Sequence, residues 1–304
     1  MPASADTQVE IKGKRLKLSN LDKVFYPKTG FTKGQVIDYY TRVSEALLPH
    51  LKKRPLTLKR YPNGVDEKYF YEKRCPTHRP EWVATAPVPS DRHGGPIDYC
   101  LCNDLPTLVW VANMASIELH PSLSRTPKIE QPATLAFDLD PGPPAAILEC
   151  ARVGLWVRDV LDEFGLQSFA KTSGSKGMQV YVPLNTPVTY KDTKGFSHAL
   201  ARLLEKQHPK EVVSVMTKDL RKGKVFIDWS QNDEHKTTVS VYSLRAREEP
   251  TASTPVTWDE VEAALQRDDA DALRFEAPDV IKRVETDGDL FGPVQTLKQK
   301  LPKL

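Results

Sequence analysis

Hydrophobic and polar positions alternate most regularly in the middle of the chain. Over residues 134–140, Leu135, Phe137 and Leu139 fall on one face and Ala136, Asp138 and Asp140 on the other, the period of a strand. Further strands are predicted over 54–61, 168–171, 178–182, 212–216, 225–229 and 239–242, with 16–26 extended. The helical spacing of Val36, Tyr39, Tyr40, Val43 and Leu47 predicts one helix over 32–51, with Thr32 as its N-cap. Leu108, Val111, Ala112, Ala115 and Leu119 predict another over 106–119, so that His120 ends it. Helices are also expected over 144–164 and 193–207, with a short one over 258–265; the Pro- and Gly-rich stretch 75–96 reads as a long loop. Strands joined by short turns alternate with helices. This predicts an α+β fold, with mixed or antiparallel sheets flanked by helices.

Composition narrows the class. A chain of 304 residues with 39% hydrophobic and 27% charged residues can bury a substantial core without staples. No run reaches the roughly 18 apolar residues that a membrane span needs. The N-terminus lacks the basic-then-apolar layout of a secretory signal. Four Cys without framework spacing predict a reducing compartment and free thiols. The formal charge is only +3, yet residues 1–60 carry 13 Lys and Arg against 5 Asp and Glu, while 248–304 carry 7 against 13. The basic stretch points to a phosphate-bearing partner; a solvated basic face is the competing reading.

Asp138 and Asp140 stand two apart on one predicted strand, so their carboxylates share a face and repel unless a cation lies between them. Hard divalent ions such as Mn²⁺ or Mg²⁺ take oxygen ligands of this kind. Asp228, opposite Val225, Ile227 and Trp229 on a second alternating strand, would complete a three-carboxylate, two-metal site for phosphoryl transfer. The plainer alternative is a strand that ends in polar residues. The turn Thr172-Ser173-Gly174-Ser175-Lys176-Gly177 can cradle a triphosphate with its amides, hydroxyls and Lys176, or can be an ordinary hairpin turn. It lacks the P-loop spacing. Arg245 and Arg247 alternate onto one face and can grip phosphates, and Arg221 and Lys59 lie near other predicted strands. The run Tyr69-Phe70-Tyr71 amid cations can stack bases or belong to the core. Cys75, His78, Cys100 and Cys102 match zinc-ligand spacing only loosely, without paired C-x-x-C hooks.

These motifs occur in a recognisable order. Leu18-Ser19-Asn20-Leu21-Asp22-Lys23-Val24, Lys59-Arg60-Tyr61-Pro62-Asn63-Gly64, Phe137-Asp138-Leu139-Asp140-Pro141, the Ser-Gly-Ser-Lys turn and Phe226-Ile227-Asp228-Trp229 together resemble the polymerase domain of bacterial ligase D, a member of the archaeo-eukaryotic primase superfamily. The resemblance covers residues 15–295. It implies a primase fold with a catalytic module similar to an RNA-recognition fold, and gap filling and primer extension in non-homologous end joining. It implies two Mn²⁺ (or Mg²⁺) ions per site, a preference for ribonucleotides, and work beside Ku. On that pattern Asp138, Asp140 and Asp228 hold the metals. His120, Lys59, Ser173, Lys176, Arg221, Arg245 and Arg247 surround the incoming nucleoside triphosphate, and Gln231 lies beside the active site. Asn20, Lys23 and Lys33 match a pocket for a 5′-phosphate on a broken DNA end, and Phe70 and Tyr71 match template-stacking aromatics.

The implied organisation is a flexible leader (1–14), an N-terminal α/β part (15–130), the catalytic module (131–248), a peripheral segment (249–295) and a tail (296–304). No K-x-D-G ligase motif occurs, so a DNA ligase is expected as a further domain or a separate chain. A bacterial cytoplasmic, nucleoid-associated enzyme without a membrane partner is the expectation. Two alternatives compete with it. A metal-dependent nuclease would not need the triphosphate cradle, and a non-catalytic module that binds DNA ends would not need Asp138 and Asp140.

Overall fold

A computed structural model describes residues 6–90 and 94–302; residues 1–5 of the expected leader, 91–93 of the expected loop and 303–304 of the tail lie outside them. The chain forms two compact units. The first comprises residues up to Ser122 together with Tyr242–Ala252 and Glu276–Asp289; the second takes Leu123–Val241, Ser253–Phe275 and the residues from Leu290. The expected boundary at 130/131 therefore lies earlier, and the segment read as peripheral is shared between the two units.

In the first unit, β1 (Thr7–Ile11) pairs antiparallel with β2 (Lys14–Leu18), so the stretch expected to be a loose leader is a hairpin from Thr7 onward. The short ladder of β3 (Val24–Tyr26) with β4 (Phe31–Thr32) leads into α1 (Lys33–Arg42). Thr32 caps α1 as expected, its hydroxyl accepting from the Gln35 N–H while the Gln35 side chain accepts from the Thr32 N–H. The single helix expected over 32–51 is interrupted at Val43, and α2 (Ser44–Leu51) follows. Val36, Tyr39, Tyr40, Val43 and Leu47 are all buried, so both segments keep one apolar face and the spacing reads as continuous.

The main sheet of this unit runs β6 (Phe70–Glu72), β5 (Pro55–Arg60), β8 (Ile97–Leu101), β7 (Thr85–Val88), with β9 (Ser116–Pro121) also paired to β5. The expected loop over 75–96 thus contains a strand. The helix expected over 106–119 is α3 (Leu105–Asn113), capped by Asp104, and it stops there. Ala115 takes a left-handed conformation (φ 64°) that turns the chain into β9. Ala115, Ile117 and Leu119 fit a strand period as well as a helical one, which is why the pattern overran, and His120 lies on a strand. Cys75 and Cys100 form a disulfide, against the expectation of free thiols. Their Cα atoms lie 4.8 Å apart, and the Cys75 N–H donates to the Asp98 carbonyl on β8, two residues before Cys100. Cys102 and Cys150 are buried free thiols.

The second unit is built on a six-stranded sheet. Its strands are β12 (Thr134–Pro141), β13 (Phe169–Thr172), β14 (Met178–Pro183), β15 (Val212–Val213), β16 (Val225–Asp228) and β17 (Pro255–Val256), after the small ladder of β10 (Ser124–Arg125) and β11 (Lys128–Pro132). The spatial order is β15-β16-β12-β14-β13-β17, antiparallel except for β15 with β16. Helices α4 (Ile147–Glu163), α5 (Tyr190–Gln207) and α6 (Trp258–Arg267) contribute to its core, where Leu135, Phe137, Leu139, Val157, Leu200, Ile227 and Val261 are buried. The strand expected over 239–242 does not form, since Tyr242 is left-handed (φ 61°). The chain then gives α7 (Ala277–Asp287) to the first unit and α8 (Pro293–Thr296) to the second. Among the described residues no helix is long and apolar enough to cross a membrane.

Candidate active site

The sequence-predicted residues gather in separate clusters, one acidic and in the second unit. Antiparallel register sets Asp138 of β12 directly opposite Asp228 of β16, and Leu139 opposite Ile227. Opposed side chains share a face at a Cβ separation of about 4.5–5.5 Å, and Asp140, two residues on, joins them. Burial of Leu139 and Ile227 below the sheet leaves the carboxylates no other face. Burial first, and then the charges of Asp140 and Asp228, hold the Asp138 carboxyl well above the usual range. A bond from Gln179, its partner on β14, and the buried Lys171 ammonium pull the other way.

Asp228 is engaged locally. It accepts from the Ser230 N–H at 3.0 Å, from the Ser230 hydroxyl and from Gln231 Nε2 at 3.2 Å. Asn232, fully buried, holds this turn to β12 by bonding both the N–H and the carbonyl of Ala136. Among the described residues no three His, Cys, Asp or Glu side chains are already arranged as a metal-binding group. The donor chemistry nevertheless suits a hard divalent cation: every donor is a carboxylate oxygen, and burial together with the neighbouring carboxylates raises Asp138 where a cation would lower it.

The Ser-Gly-Ser-Lys turn joins β13 to β14 beside this cluster. A Cβ on Gly177 would lie 2.1 Å from the Leu139 carbonyl oxygen, so only glycine lets the turn pack against the strand bearing Asp138 and Asp140. Ser173 Oγ accepts from the Ser175 and Gly177 amides, each at 3.2 Å, and Lys176 is exposed. Arg221 packs its guanidinium 3.7 Å from the Phe226 ring centroid and donates to the Met216 carbonyl at 2.7 Å. Gly142, just past β12, has room only for hydrogen against the Arg221 backbone.

A second cluster, in the first unit, contains a residue that sequence analysis missed. Tyr71, Lys59 and Glu118 are successive partners across β6, β5 and β9 and therefore share a face. Glu118 is 2% exposed and takes Lys59 Nζ at 3.2 Å, the Tyr61 hydroxyl at 3.2 Å and His120 Nε2 at 2.9 Å. Arg245 Nε lies 3.4 Å from the same carboxylate, and the Ala246 N–H donates to it at 3.2 Å. Burial works against the charge, but His120, Arg245 and Lys59 outweigh it and hold Glu118 far below the usual carboxylate range. Burial lowers His120 and Lys59. Arg245 is placed by its backbone, since the Tyr26 hydroxyl donates to its carbonyl and the Leu244 N–H donates to the Tyr40 hydroxyl. No strand forms there, so the alternation expected to align Arg245 with Arg247 is absent; Arg247 is exposed. The signal for Glu118 was its E-x-H spacing with His120, hidden when the segment was read as a helix end.

Asn20, Lys23 and Lys33 also come together. Asn20, left-handed at φ 54°, accepts from the Lys23 N–H in a turn that the Lys33 N–H ties to the Lys23 carbonyl at 2.8 Å. Lys33 Nζ, buried, donates to the Ser19 carbonyl at 2.6 Å, while Lys23 Nζ bonds the Pro62 carbonyl and Asn63. Burial, then the charge of Lys23, lowers Lys33 to about 8. On β6, Phe70 and Tyr71 are 43% and 57% exposed, as base stacking requires. Lys59 lies 4.4 Å from the Tyr69 ring centroid and 5.5 Å from that of Tyr71.

Residues 32–291 match the family described as LigD, primase-polymerase domain. The Multifunctional non-homologous end joining protein LigD of Mycolicibacterium smegmatis is 40% identical over 282 residues, 92% of this chain and 36% of that protein. The Bifunctional non-homologous end joining protein LigD of Bacillus subtilis is 32% identical over 278 residues, 91% of this chain and 44% of that protein. The solved polymerase domain from Mycobacterium tuberculosis ligase D in complex with DNA superposes with a TM-score of 0.86 at 39% identity, covering 94% of this chain and 99% of that one. The chain belongs to the LigD primase-polymerase domain family. Its fold is therefore the archaeo-eukaryotic primase type and its enzyme class nucleotidyltransferase, as the motifs implied. It spans less than half the length of these curated LigD relatives. Of the four residues whose spacing loosely resembled zinc ligands, Cys75 and Cys100 are spent on each other.

Proposed function

We propose that this chain extends primers and fills gaps at double-strand breaks by template-directed nucleotidyl transfer. Its substrates would be nucleoside triphosphates and DNA ends bearing a 5′-phosphate, and its partners Ku and a DNA ligase. The carrying observation is the strand register that opposes Asp138 to Asp228 with Asp140 on the same face. Two divalent cations, Mn²⁺ or Mg²⁺, would supply charge stabilisation on the attacking 3′-oxygen and the departing pyrophosphate. The chain's own residues would do the rest. Asp138, Asp140 and, once released from Ser230 and Gln231, Asp228 offer the oxygen ligands. In the second unit Lys176 and Arg221 would meet triphosphate by charge, with Ser173 and the turn amides beside it; in the first unit Lys59, Arg245 and Arg247 are the cations that the family motifs give to the nucleotide. Lys23, Lys33 and Asn20 would seat the 5′-phosphate, and Phe70 and Tyr71 the template. Such an enzyme acts on DNA in the bacterial cytoplasm.

Asp138→Ala and Asp140→Ala are each expected to abolish extension of a labelled primer with Mn²⁺ while DNA-end affinity stays within about twofold, since that affinity comes from basic contacts to phosphate. Undiminished extension by either variant overturns the assignment. Cleavage in place of extension by the wild type would indicate the nuclease, and end binding alone the recruiting module.

A ribonucleotide preference belongs to the same reading. A site that hydrogen-bonds the sugar 2′-hydroxyl leaves polar groups unpaired with a deoxynucleotide, at a cost of about 1–2 kcal/mol, or roughly tenfold in rate. Single-turnover addition of one nucleotide across a short gap should favour the ribonucleotide by that factor. Equal use of both sugars counts against the preference alone.

A further inference from the structure

We propose that Glu118 is a positioning residue for the nucleotide-binding cluster, holding Lys59, His120 and Arg245 in one arrangement and committing His120 to the tautomer with its proton on Nε2. The proposal rests on the polymerase reading for its kinetic consequence, though not for its structural one.

Four hydrogen-bond donors and one ion pair converge on a single carboxylate that is 2% exposed: Lys59 Nζ, the Tyr61 hydroxyl and the Ala246 N–H on Oε1, and His120 Nε2 on Oε2, with Arg245 Nε 3.4 Å from the same Oε2. They arrive from β5 and the residue after it, from β9, and from the irregular segment around Arg245. The β5–β9 ladder and the Tyr26 and Tyr40 bonds bring the backbones together, and Glu118 is the group on which the side chains of all three segments meet. A buried ion cluster adds little net stability over apolar residues of the same volume, so geometry is the distinctive thing Glu118 supplies. Without it, two cationic side chains would lie close together in a low-dielectric setting and repel.

The consequence for His120 follows from donor chemistry. An ionised carboxylate only accepts, so Nε2 at 2.9 Å must carry the proton. Burial lowers the ring's affinity for a second proton, which leaves the imidazole neutral with a lone pair on Nδ1. No described residue hydrogen-bonds Nδ1. His120 therefore presents an acceptor, suited to a hydroxyl or an amine of the nucleotide and not to a phosphate oxygen. Lys59 and Arg245 are the groups in this cluster left to meet phosphate.

The test uses Glu118→Gln, which keeps size and removes charge, and Glu118→Asp, which keeps charge and shortens the reach. Long-range ¹H–¹⁵N spectra of the imidazole in the whole chain should show wild-type His120 as the Nε2–H tautomer alone. Glu118→Gln should give a mixture or the Nδ1–H form. In single-nucleotide addition, Glu118→Gln should raise the KM for the triphosphate about ten- to a hundredfold, the worth of misaligned charge-assisted bonds, with a smaller change in kcat. Glu118→Asp should fall between. On a His120→Ala or Lys59→Met background the Glu118→Gln effect should shrink, because residues acting through one another are not additive. Affinity for a 5′-phosphorylated DNA end, which uses Lys23 and Lys33 of the same unit, should hold and so report an intact fold. If Glu118→Gln does not fold, Glu118→Asp, which shortens the reach, carries the KM comparison, and an unchanged KM there overturns the proposal. A wild-type tautomer and KM in Glu118→Gln, or effects that multiply fully across the double variants, overturn the proposal. A wild-type protein that extends no primer overturns the polymerase reading instead, and the tautomer measurement still decides the role of Glu118.

Discussion

Lys33 is a lysine whose charge the fold makes uncomfortable: burial and the neighbouring Lys23 lower it from 10.5 to about 8. A bound phosphate needs the ammonium form. Between about pH 8 and 10.5 the free site must take up a proton on binding, so affinity for a 5′-phosphorylated end should fall as pH rises through that window. Below 8 it should be flat. The stability sign is the opposite: the unfolded lysine holds its proton to higher pH, so stability rises with pH across the window while phosphate affinity falls. Fluorescence anisotropy with 5′-phosphate and 5′-hydroxyl ends at fixed salt measures the difference, and Lys33→Met should remove both the preference and its pH slope. A preference unchanged from pH 7 to 10 would contradict the pocket. Asn20, Lys23 and Lys33 were legible in the sequence as a motif; the lowered pKa was not, because it depends on what the fold packs around Lys33. Glu118 shows the converse, a residue of no evident role until three chain segments close on it.

At the scale of elements, the alternation in β12 was the strongest signal in the chain, and the strand forms where it was read, at Thr134–Pro141. Its pairing with β16 in the register that opposes Asp138 to Asp228 could not be read from either strand alone, because it is set by burying Leu139 against Ile227. The turn after β13 depends on the same contact. Gly177→Ala would drive a Cβ to 2.1 Å from a backbone oxygen, which cannot move without shifting β12. We expect a loss of about 1–3 kcal/mol in unfolding free energy and a larger loss of extension activity than of DNA-end binding. Chemical denaturation and primer extension measure the two. Wild-type values for both would show that the turn is looser than its packing implies. Where the pattern misled, as over 106–119, helical and strand periods coincided at Ala115 and Leu119, and the left-handed Ala115 decided between them.

For the whole molecule, the disulfide between Cys75 and Cys100 is the largest departure from expectation. It closes a loop of 25 residues, worth about 3 kcal/mol through the unfolded chain. Thermal melts with and without reductant, and of Cys75→Ser, should show the midpoint falling by several degrees; no change would mean that the bond does not form in solution. The sequence by itself determined the elements with clean periods, the paired aspartates, the order of the motifs and hence the family. Periodicity and motif order are local properties, carried by residues a few positions apart. Tertiary structure alone decided that Tyr242–Ala252 and Glu276–Asp289 return to the first unit, that Cys75 meets Cys100, and that Glu118 gathers Lys59, His120 and Arg245. Except for Glu118 with His120, two positions away, those contacts join residues tens to more than a hundred positions apart. Which partners meet over such distances is set by the packing of whole elements, and no local pattern records it.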